Sequence, residues 1–573
     1  MYMSSAFDTQ FVQDSVISDV TDKLSFAVRG GASSTTYQSF PAASSSNSSL
    51  TFSIQVPSEN IIVARDAMIE SRISCSLLLG SADTPLTLTN GVAALDWGNS
   101  TSFSAFPVSK NMNTANVQIN NTSTSVNLKD ILPQLLRLND SRYLYKHNGY
   151  APSMPDQTFY DYDVMAGTNS NPMGSYNNAG YDVDLIPRGA FPVELLVEHF
   201  GDDGVNGMVY VDTSLTSAST TYTAGEYWIV NVVSTVTEPI FVSPFTWSAP
   251  EHNAQGMLGI NNMAMNFTID SSIPRMVSNG NENVTSVVAG DSRTQAGSVS
   301  SNLFLNSRVL LKFLSTQDTD RLASKNVVPY TDFPRYITNQ FNSGSALASK
   351  GTVTATSNNI QLNQLPDYFI ICVRKQMSTQ GPNDSDSFLK ITSATFNLNN
   401  MSGLLSTATN QDLWKLSSKC GSTQNFQEFG GGAWDNASQS VLATTGSLLV
   451  ISPVDLSLPA YLAPGSLGNF QLSLTLAVEN QSDAAVTAEL VVIAVNSGFM
   501  VTEQGQSSIY TGILTREAVL DAKGQKPVSS EMVERMIGGK MGNRVCSLMH
   551  STKGGMVTSG AGSSGGGKLS GLY

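Results

Sequence analysis

Charge is scarce in this chain of 573 residues. Lys, Arg, Asp and Glu make up only 13% of it, and the formal net charge is −14. A surface that coats nucleic acid needs clustered Lys and Arg to displace counterions, so the body of the chain is not of that class. Histidine is equally sparse. His147, His199, His252 and His550 are scattered and stand in no HExxH or other metal-ligand spacing. The four cysteines, Cys75, Cys372, Cys420 and Cys546, are far apart and make no CxxC pair. They read as structural thiols in a reducing compartment rather than as a disulfide framework. No apolar run approaches the roughly 18 residues that span a bilayer. The opening MYMSSAFDTQFVQDSV has no basic segment followed by an apolar one, so no secretion signal is expected.

Ser, Thr, Asn and Gly are abundant instead, a mixture that favours strands and turns over helices. Length alone suggests roughly two to four domains. One pattern occurs twice. Leu50–Leu79 reads SLTFSIQVPSEN from Ser49, a polar corner, then DAMIESRISCSLLL; Gly351–Lys375 reads GTVTATSNNIQLNQ and then LPDYFIICVRK. In the first copy Phe52, Ile54 and Val56 share one face and Ser53 and Gln55 the other, as in a half-buried strand. Each copy is expected to open a β-sandwich.

Residues 1–45 read as a polar N-terminal arm that either lies over the surface or pairs with a neighbouring subunit. The first sandwich is expected over 46–343. Within it, Asp130 is a candidate N-cap for a helix with Pro133 in its first turn, and Ile131, Leu132, Leu135, Leu136 and Leu138 form its apolar stripe; the helix is expected on a sandwich edge. A Tyr-, Asn- and Gly-rich insertion fills 139–190, a length usual for functional or interface loops. Strands are expected at Tyr227–Val233 and at Met263, Met265, Phe267 and Ile269, with Phe304–Leu314 and Val327–Ile337 completing the sandwich. FNSGSALASKG (341–351) reads as the boundary. The second sandwich follows over 344–505, with Phe470–Val478 alternating and Ala488–Val495 nearly continuously apolar, as in a strand buried on both faces. Two short helices are expected over 506–539, capped by Thr515 and Ser530. A basic, Gly/Ser-rich tail over 540–573 carries Lys540, Arg544, Lys553 and Lys568 and no acid.

Catalytic readings find little support. The pairs Asp161/Asp163, Asp182/Asp184 and Asp384/Asp386 lack the EF-hand spacing and read as solvated loop acids. Gly562–Lys568 resembles a P-loop, but Leu569 stands where Ser or Thr must ligate Mg²⁺. The GxSxG letters at Gly562–Gly566 lie in a Gly/Ser run that cannot hold a strained nucleophile elbow. No cofactor is implied. Met536-Ile537-Gly538-Gly539 is either a glycine helix stop or a protease site, since Gly-Gly offers little bulk at a scissile bond.

The order of features resembles the major capsid proteins of virophages, the Sputnik type above all, and of Polinton-like viruses. The stretches that carry this are SFAVRGGASSTTYQSFP, AFPVSKNMNTANVQIN, NSNPMGSYNNAGYDVDLIPRGAF, EPIFVSPFTW, QLPDYFIICVRKQ, ITSATFNLNNMSGLLS, QDLWKLSSKCGSTQNFQEF and LTREAVLDAKG, collinear up to Gly539. The resemblance implies an all-β double jelly roll and a homotrimer of pseudo-hexameric outline that tiles an icosahedral shell around a genome. It implies as partners neighbouring capsomers, penton and minor capsid proteins, and a maturation cysteine protease cutting after aliphatic-x-Gly-Gly, which Met536, Gly538 and Gly539 fit. The tail, beyond the resemblance, is a candidate contact for genome or scaffold, and an internal membrane is a further candidate partner. Location in the virion, without secretion, and no enzymatic activity follow. The rival readings are a non-viral tandem-sandwich adhesin or carbohydrate-binding protein, which would need a secretion signal and a ligand pocket, and a β-sandwich hydrolase, which would need clustered His, Asp or Glu.

Overall fold

The computed structural model describes residues 32–512 and the two-residue strands Gln10–Phe11 and Ala27–Val28. Outside the description lie the rest of 1–31, residues 80–91, 157–190, 201–205, 212–217, 222–226, 247–255, 280–283, 294–301, 317–324, 340–345, 457–461 and 513–573, and scattered positions within 96–100, 140–148, 436–438 and 483.

Sixteen strands, eight in each half, form two sandwiches. The first uses β1 (Ala32–Pro41), β2 (Ser49–Gln55), β3 (Met68–Leu79), β4 (Met112–Ile119), β5 (Thr122–Val126), β6 (Tyr227–Pro239), β7 (Asn262–Ile269) and β8 (Phe304–Thr316). One of its sheets runs β1-β8-β3-β6 and the other β2-β7-β4-β5. The second uses β9 (Lys325–Asp332, continued by Arg335–Thr338), β10 (Thr352–Thr356, continued by Ile360–Gln364), β11 (Tyr368–Lys375), β12 (Lys390–Leu398), β13 (Met401–Leu404), β14 (Leu449–Ile451), β15 (Leu467–Glu479) and β16 (Ala488–Glu503). Its sheets run β9-β16-β11-β14 and β10-β15-β12-β13. Adding eight to each number of the first sandwich reproduces the second. In both, the chain changes sheet at every step except the β4–β5 and β12–β13 hairpins, which is the winding of a jelly roll. The chain is a double jelly roll.

The alternation expected of β7 is present: Met263, Met265, Phe267 and Ile269 are buried and the residues between them exposed. β16 is buried without a break from Ala488 to Asn496. Leu490, Val492 and Ala494 enter the second roll's own core with Phe369 and Ile371. Val491, Ile493 and Val495 point the other way and join Ile370 and Cys372 in the cluster that continues into the first roll. A strand that separates two apolar cores has no polar face to show, which explains its unbroken run.

Two expectations about strand order need correction. The repeated unit is real, but its copies are the second and third strands of each roll, β2–β3 and β10–β11. The opening strands are β1, expected in the arm, and β9, expected to complete the first sandwich. β1 pairs with β8, while Val327–Ile337 pairs with β16 of the second roll. Among the described residues both are edge strands bonded on one side only, and Ser34–Ser39 of β1 are exposed, so little in β1 alternates. Glu194–Phe200 and Asn206–Val211, not expected as strands, widen the first sheet beyond β6.

Each roll places a helix after its fifth strand: α1 (Leu128–Leu136) after β5 and α2 (Asn410–Lys419) after β13. α2 starts with a reciprocal cap, in which Thr409 Oγ1 accepts from Asp412 N and Asp412 Oδ2 accepts from Thr409 N, a device that satisfies two orphan donors. α1 begins three residues before the expected start at Ile131. Asn127 flanks it, Asp130 lies in its first turn rather than capping it, and Pro133 is inside the helix. Nor does α1 sit on an edge: it lies between the two rolls.

Candidate functional site: the seam between the rolls

Three sets of contacts join the rolls, and each pairs residues more than a hundred positions apart. The first is α1 on the outward face of β11 and β16. Arg374 donates through Nη1 to Asp130 O (2.7 Å) and through Nε to Glu489 Oε1 (2.8 Å). Asp130, expected as a cap, turns its carboxylate to Arg335 Nε at 2.6 Å and to Arg374 Nη2 at 3.4 Å. Gln134 Nε2 reaches Cys372 Sγ at 3.5 Å. Burial pushes the Cys372 thiol up to about 11 and the Cys75 thiol up to about 12. Both are packing residues kept as thiols, which makes them poor nucleophiles.

The second set centres on Asp386, at the end of the loop between β11 and β12. Its Oδ2 meets Lys110 Nζ at 2.6 Å and its Oδ1 meets Arg275 Nη2 at 2.7 Å, and all three side chains are at least 96% buried. Arg137 Nη2 donates to the carbonyls of Asp386 and Asp156, each at 2.7 Å. Asp156 Oδ2 accepts from Asp386 N at 2.7 Å, and the Arg137 guanidinium lies over the Phe388 ring. Lys110, Arg137, Asp156 and Arg275 belong to the first roll, so the loop of the second is plugged into it. Asn279 N extends the plug by donating to Pro382 O (2.9 Å).

The third set is the Gln506–Thr511 strand, which follows β16 and touches the β4–β5 turn. Ser507 Oγ donates to Ile119 O at 2.5 Å, and Thr122 Oγ1 donates to Ser507 O at 2.7 Å. Buried ion pairs contribute little net stability compared with apolar packing of the same volume, yet breaking one is costly. At this seam their effect is geometric: only one docking of the two rolls brings each charge to its partner.

Asp384 and Asp386 are therefore not solvated loop acids. Asp386 holds Lys110 and Arg275, and Asp384 holds Lys375 Nζ at 2.8 Å. Sequence reasoning missed this cluster because its members are separated by 111 and 276 residues. The available signal was the presence of charges in segments otherwise apolar. His147 packs against Phe106, and burial lowers its pKa. Among the described residues no group of three His, Cys, Asp or Glu is arranged to hold a metal ion. Asp161, Asp163, Asp182, Asp184, His252 and His550 lie outside the described residues, as do the two C-terminal helices, Met536, Gly538, Gly539, Lys540, Arg544, Lys553 and Lys568.

With this architecture, likeness to known proteins can be placed. Residues 5–314 match the family described as Sputnik virophage major capsid protein 1st domain, and residues 333–498 match the major capsid protein V20 C-terminal domain. The putative capsid protein V20 of Sputnik virophage is 24% identical over 536 residues, covering 91% of this chain and 82% of that protein. A chain of the Sputnik virophage structure determined by cryo-EM superposes with a TM-score of 0.71 at 22% identity, over 93% of this chain and 99% of that one. The mavirus major capsid protein gives 0.61 at 13% identity, over 91% and 99%. The two structural likenesses show the shared two-roll fold. The first family description alone spans more than half of the chain, so the chain belongs to the Sputnik virophage major capsid protein family, with a structural role in the virion shell.

Proposed function

We propose that three copies of the chain associate into a capsomer of six rolls with a pseudo-hexagonal outline, and that these capsomers tile an icosahedral shell around the viral genome. The observation that supports this most directly is the repetition of one strand order in two rolls held by an ion-lined seam. Two equivalent units fixed at one angle are what a ring of six needs from each of three chains, because head-to-tail contacts close into rings. The proposed division is an arm before β1, a first roll over β1–β8, a second roll over β9–β16, and a C-terminal segment from 513 that ends in a basic tail. Neighbouring capsomers, penton and minor capsid proteins are the partners of this reading, and assembly takes place inside the host cell, with an internal membrane as a further candidate partner. Purified protein is expected to sediment as a species of three chains or as shell-like particles. A strict single chain at high concentration would sink the reading.

The same proposal makes Met536-Ile537-Gly538-Gly539 a cleavage site for a maturation cysteine protease, and the basic tail an assembly segment that touches genome or scaffold before its removal. Mass spectrometry of protein from mature particles is expected to find the C-terminus at Gly539. An intact Tyr573 in those particles would refute processing.

A further inference from the structure

The seam within the chain has a direction. The first roll supplies a helix, α1, and the second supplies the outward face of β16 and β11. Each roll owns both parts, since α2 follows β13 as α1 follows β5, and β8-β3 stands in the first roll as β16-β11 does in the second. Within one chain only half of these parts are used. α1 buries Leu128, Ile131, Leu132, Gln134, Leu135 and Leu136, whereas α2 buries only Leu413 and Ser417, against its own roll. The outward face of β16 and β11 is buried, whereas Tyr37 on β1 is 78% exposed, and the side chains of Arg72 on β3 and Arg308 on β8 are 54% and 47% exposed.

We propose that the outward face of β1-β8-β3 in one copy receives α2 of a second copy, as the outward face of β16-β11 receives α1 within the chain. This inference rests on the trimeric reading above and names the surfaces by which the trimer closes. Three observations favour a second copy of this chain as the occupant.

The first is internal equivalence. A head-to-tail contact that recurs at every roll closes into a ring, and the contact already exists once per chain.

The second is chemistry. Asp130 is the third residue of α1 and meets Arg374 on the outward row of β11. Asp412 is the third residue of α2, and Arg72 stands on the outward row of β3. Among the described residues Arg72 is engaged by an exposed 3.3 Å pair with Glu194, which costs little to exchange.

The third is the form of the two surfaces. Tyr37 lies opposite Lys312 in the β1–β8 register, with the ammonium 5.9 Å from its ring centre. It offers a large aromatic contact with a polar tip. On the other side, beside α2, Trp414 and Phe426 form an edge-to-face pair at 5.6 Å, with Phe426 42% exposed. Aromatic and arginine side chains of this kind supply most of the energy of protein interfaces.

The test compares the full chain with Tyr37→Ala/Arg72→Glu by sedimentation across a concentration series, with circular dichroism to establish that the variant is folded. At concentrations where the unaltered chain sediments as three chains, the folded variant is expected to sediment as one. If both sediment as trimers with the same concentration dependence, the proposed surface is wrong while the trimeric reading stands. If the unaltered chain is itself a single chain throughout, the trimeric reading falls and takes this inference with it. Should the double variant not fold, Tyr37→Ala alone decides. It removes a side chain that the monomer leaves in solvent, and it is expected to raise the concentration of half-dissociation at least tenfold. An unchanged value would overturn the proposal.

Discussion

Replacing Asp386 by alanine is expected to destabilise the protein by about 3–5 kcal/mol, the usual loss when one partner of a buried ion pair is removed. The carboxylate is shared by Lys110 and Arg275, so its loss removes at one stroke the anion that both of these buried cations meet. The backbone contacts of the loop survive in this variant, because Arg137 bonds the Asp386 carbonyl and Asp156 bonds its N–H. The effect therefore reads the charge and not the loop. It is measured as a fall in the denaturant midpoint at unchanged slope. Adding Lys110→Met to Asp386→Ala should return part of the loss, since the two residues interact directly and their effects are not additive. The exposed pair serves as the control: Glu194→Ala removes the partner of Arg72 and should cost no more than about 1 kcal/mol. A shift for Asp386→Ala no larger than that of Glu194→Ala would show that the seam does not depend on its buried charges.

Gly446→Ala is expected to be at least as damaging, for a reason of shape. Gly446 has φ +83°, and a Cβ built there would lie 1.8 Å from the carbonyl oxygen of Phe388. The left-handed conformation alone costs an L-residue roughly 1–2 kcal/mol, and overpacking in a tight interior adds about 1–3 kcal/mol. The neighbouring backbone has little room to move. Phe388 N donates to Thr445 O at 2.6 Å, and the Gln424 side chain bonds Gly446 O and Leu448 N at 2.9 and 3.0 Å. Because Phe388 follows the Asp386 loop, any relief of the clash displaces the plug. Loss of soluble protein, or a midpoint lowered as far as in Asp386→Ala, is the expected result. Gly381→Ala is the matched comparison. Nothing lies within 4 Å of a Cβ at that site, and its midpoint should stay close to that of the unaltered chain.

The sequence revealed what has a period. β7 and β15 bury every second side chain, and β16 loses its alternation because an apolar core lies on each side of it. The repeat was visible for the same reason: β2 and β10 stand at the ends of their sheets, yet their inward rows, Leu50, Phe52 and Ile54 in β2 and Ala355, Ile360 and Leu362 in β10, are buried and apolar. The opening strands were not visible. Among the described residues β1 is bonded only to β8, and it leaves most of its side chains in water, so ASSTTYQSFP reads as an arm. β9 contains Val327 and Val328, but apolar letters do not say which of two adjacent rolls a strand joins. The result was a frame one strand late in both rolls. The seam was less legible still. Asp130 has the letter of a helix cap and serves as an interroll anchor, and Asp384-Ser385-Asp386 has the composition of a solvated loop. Local propensity reports local partners, and Asp130 and Asp386 find theirs across more than a hundred positions.

The seam also bears on how dilution acts on assembly. In a ring of six rolls, three of the six junctions would be made by the chain itself, through the Asp386 plug and α1. Such junctions are intramolecular, with an effective concentration set by the connection and not by the amount of protein present. Ring formation would then depend on the third power of protein concentration, where six separate rolls would impose the sixth. Near its threshold, a tenfold dilution would reduce the population of rings by about three orders of magnitude less than it would for unlinked rolls. In that ring, fusing the rolls would keep half of the junctions made at any concentration and leave only the other half to mass action.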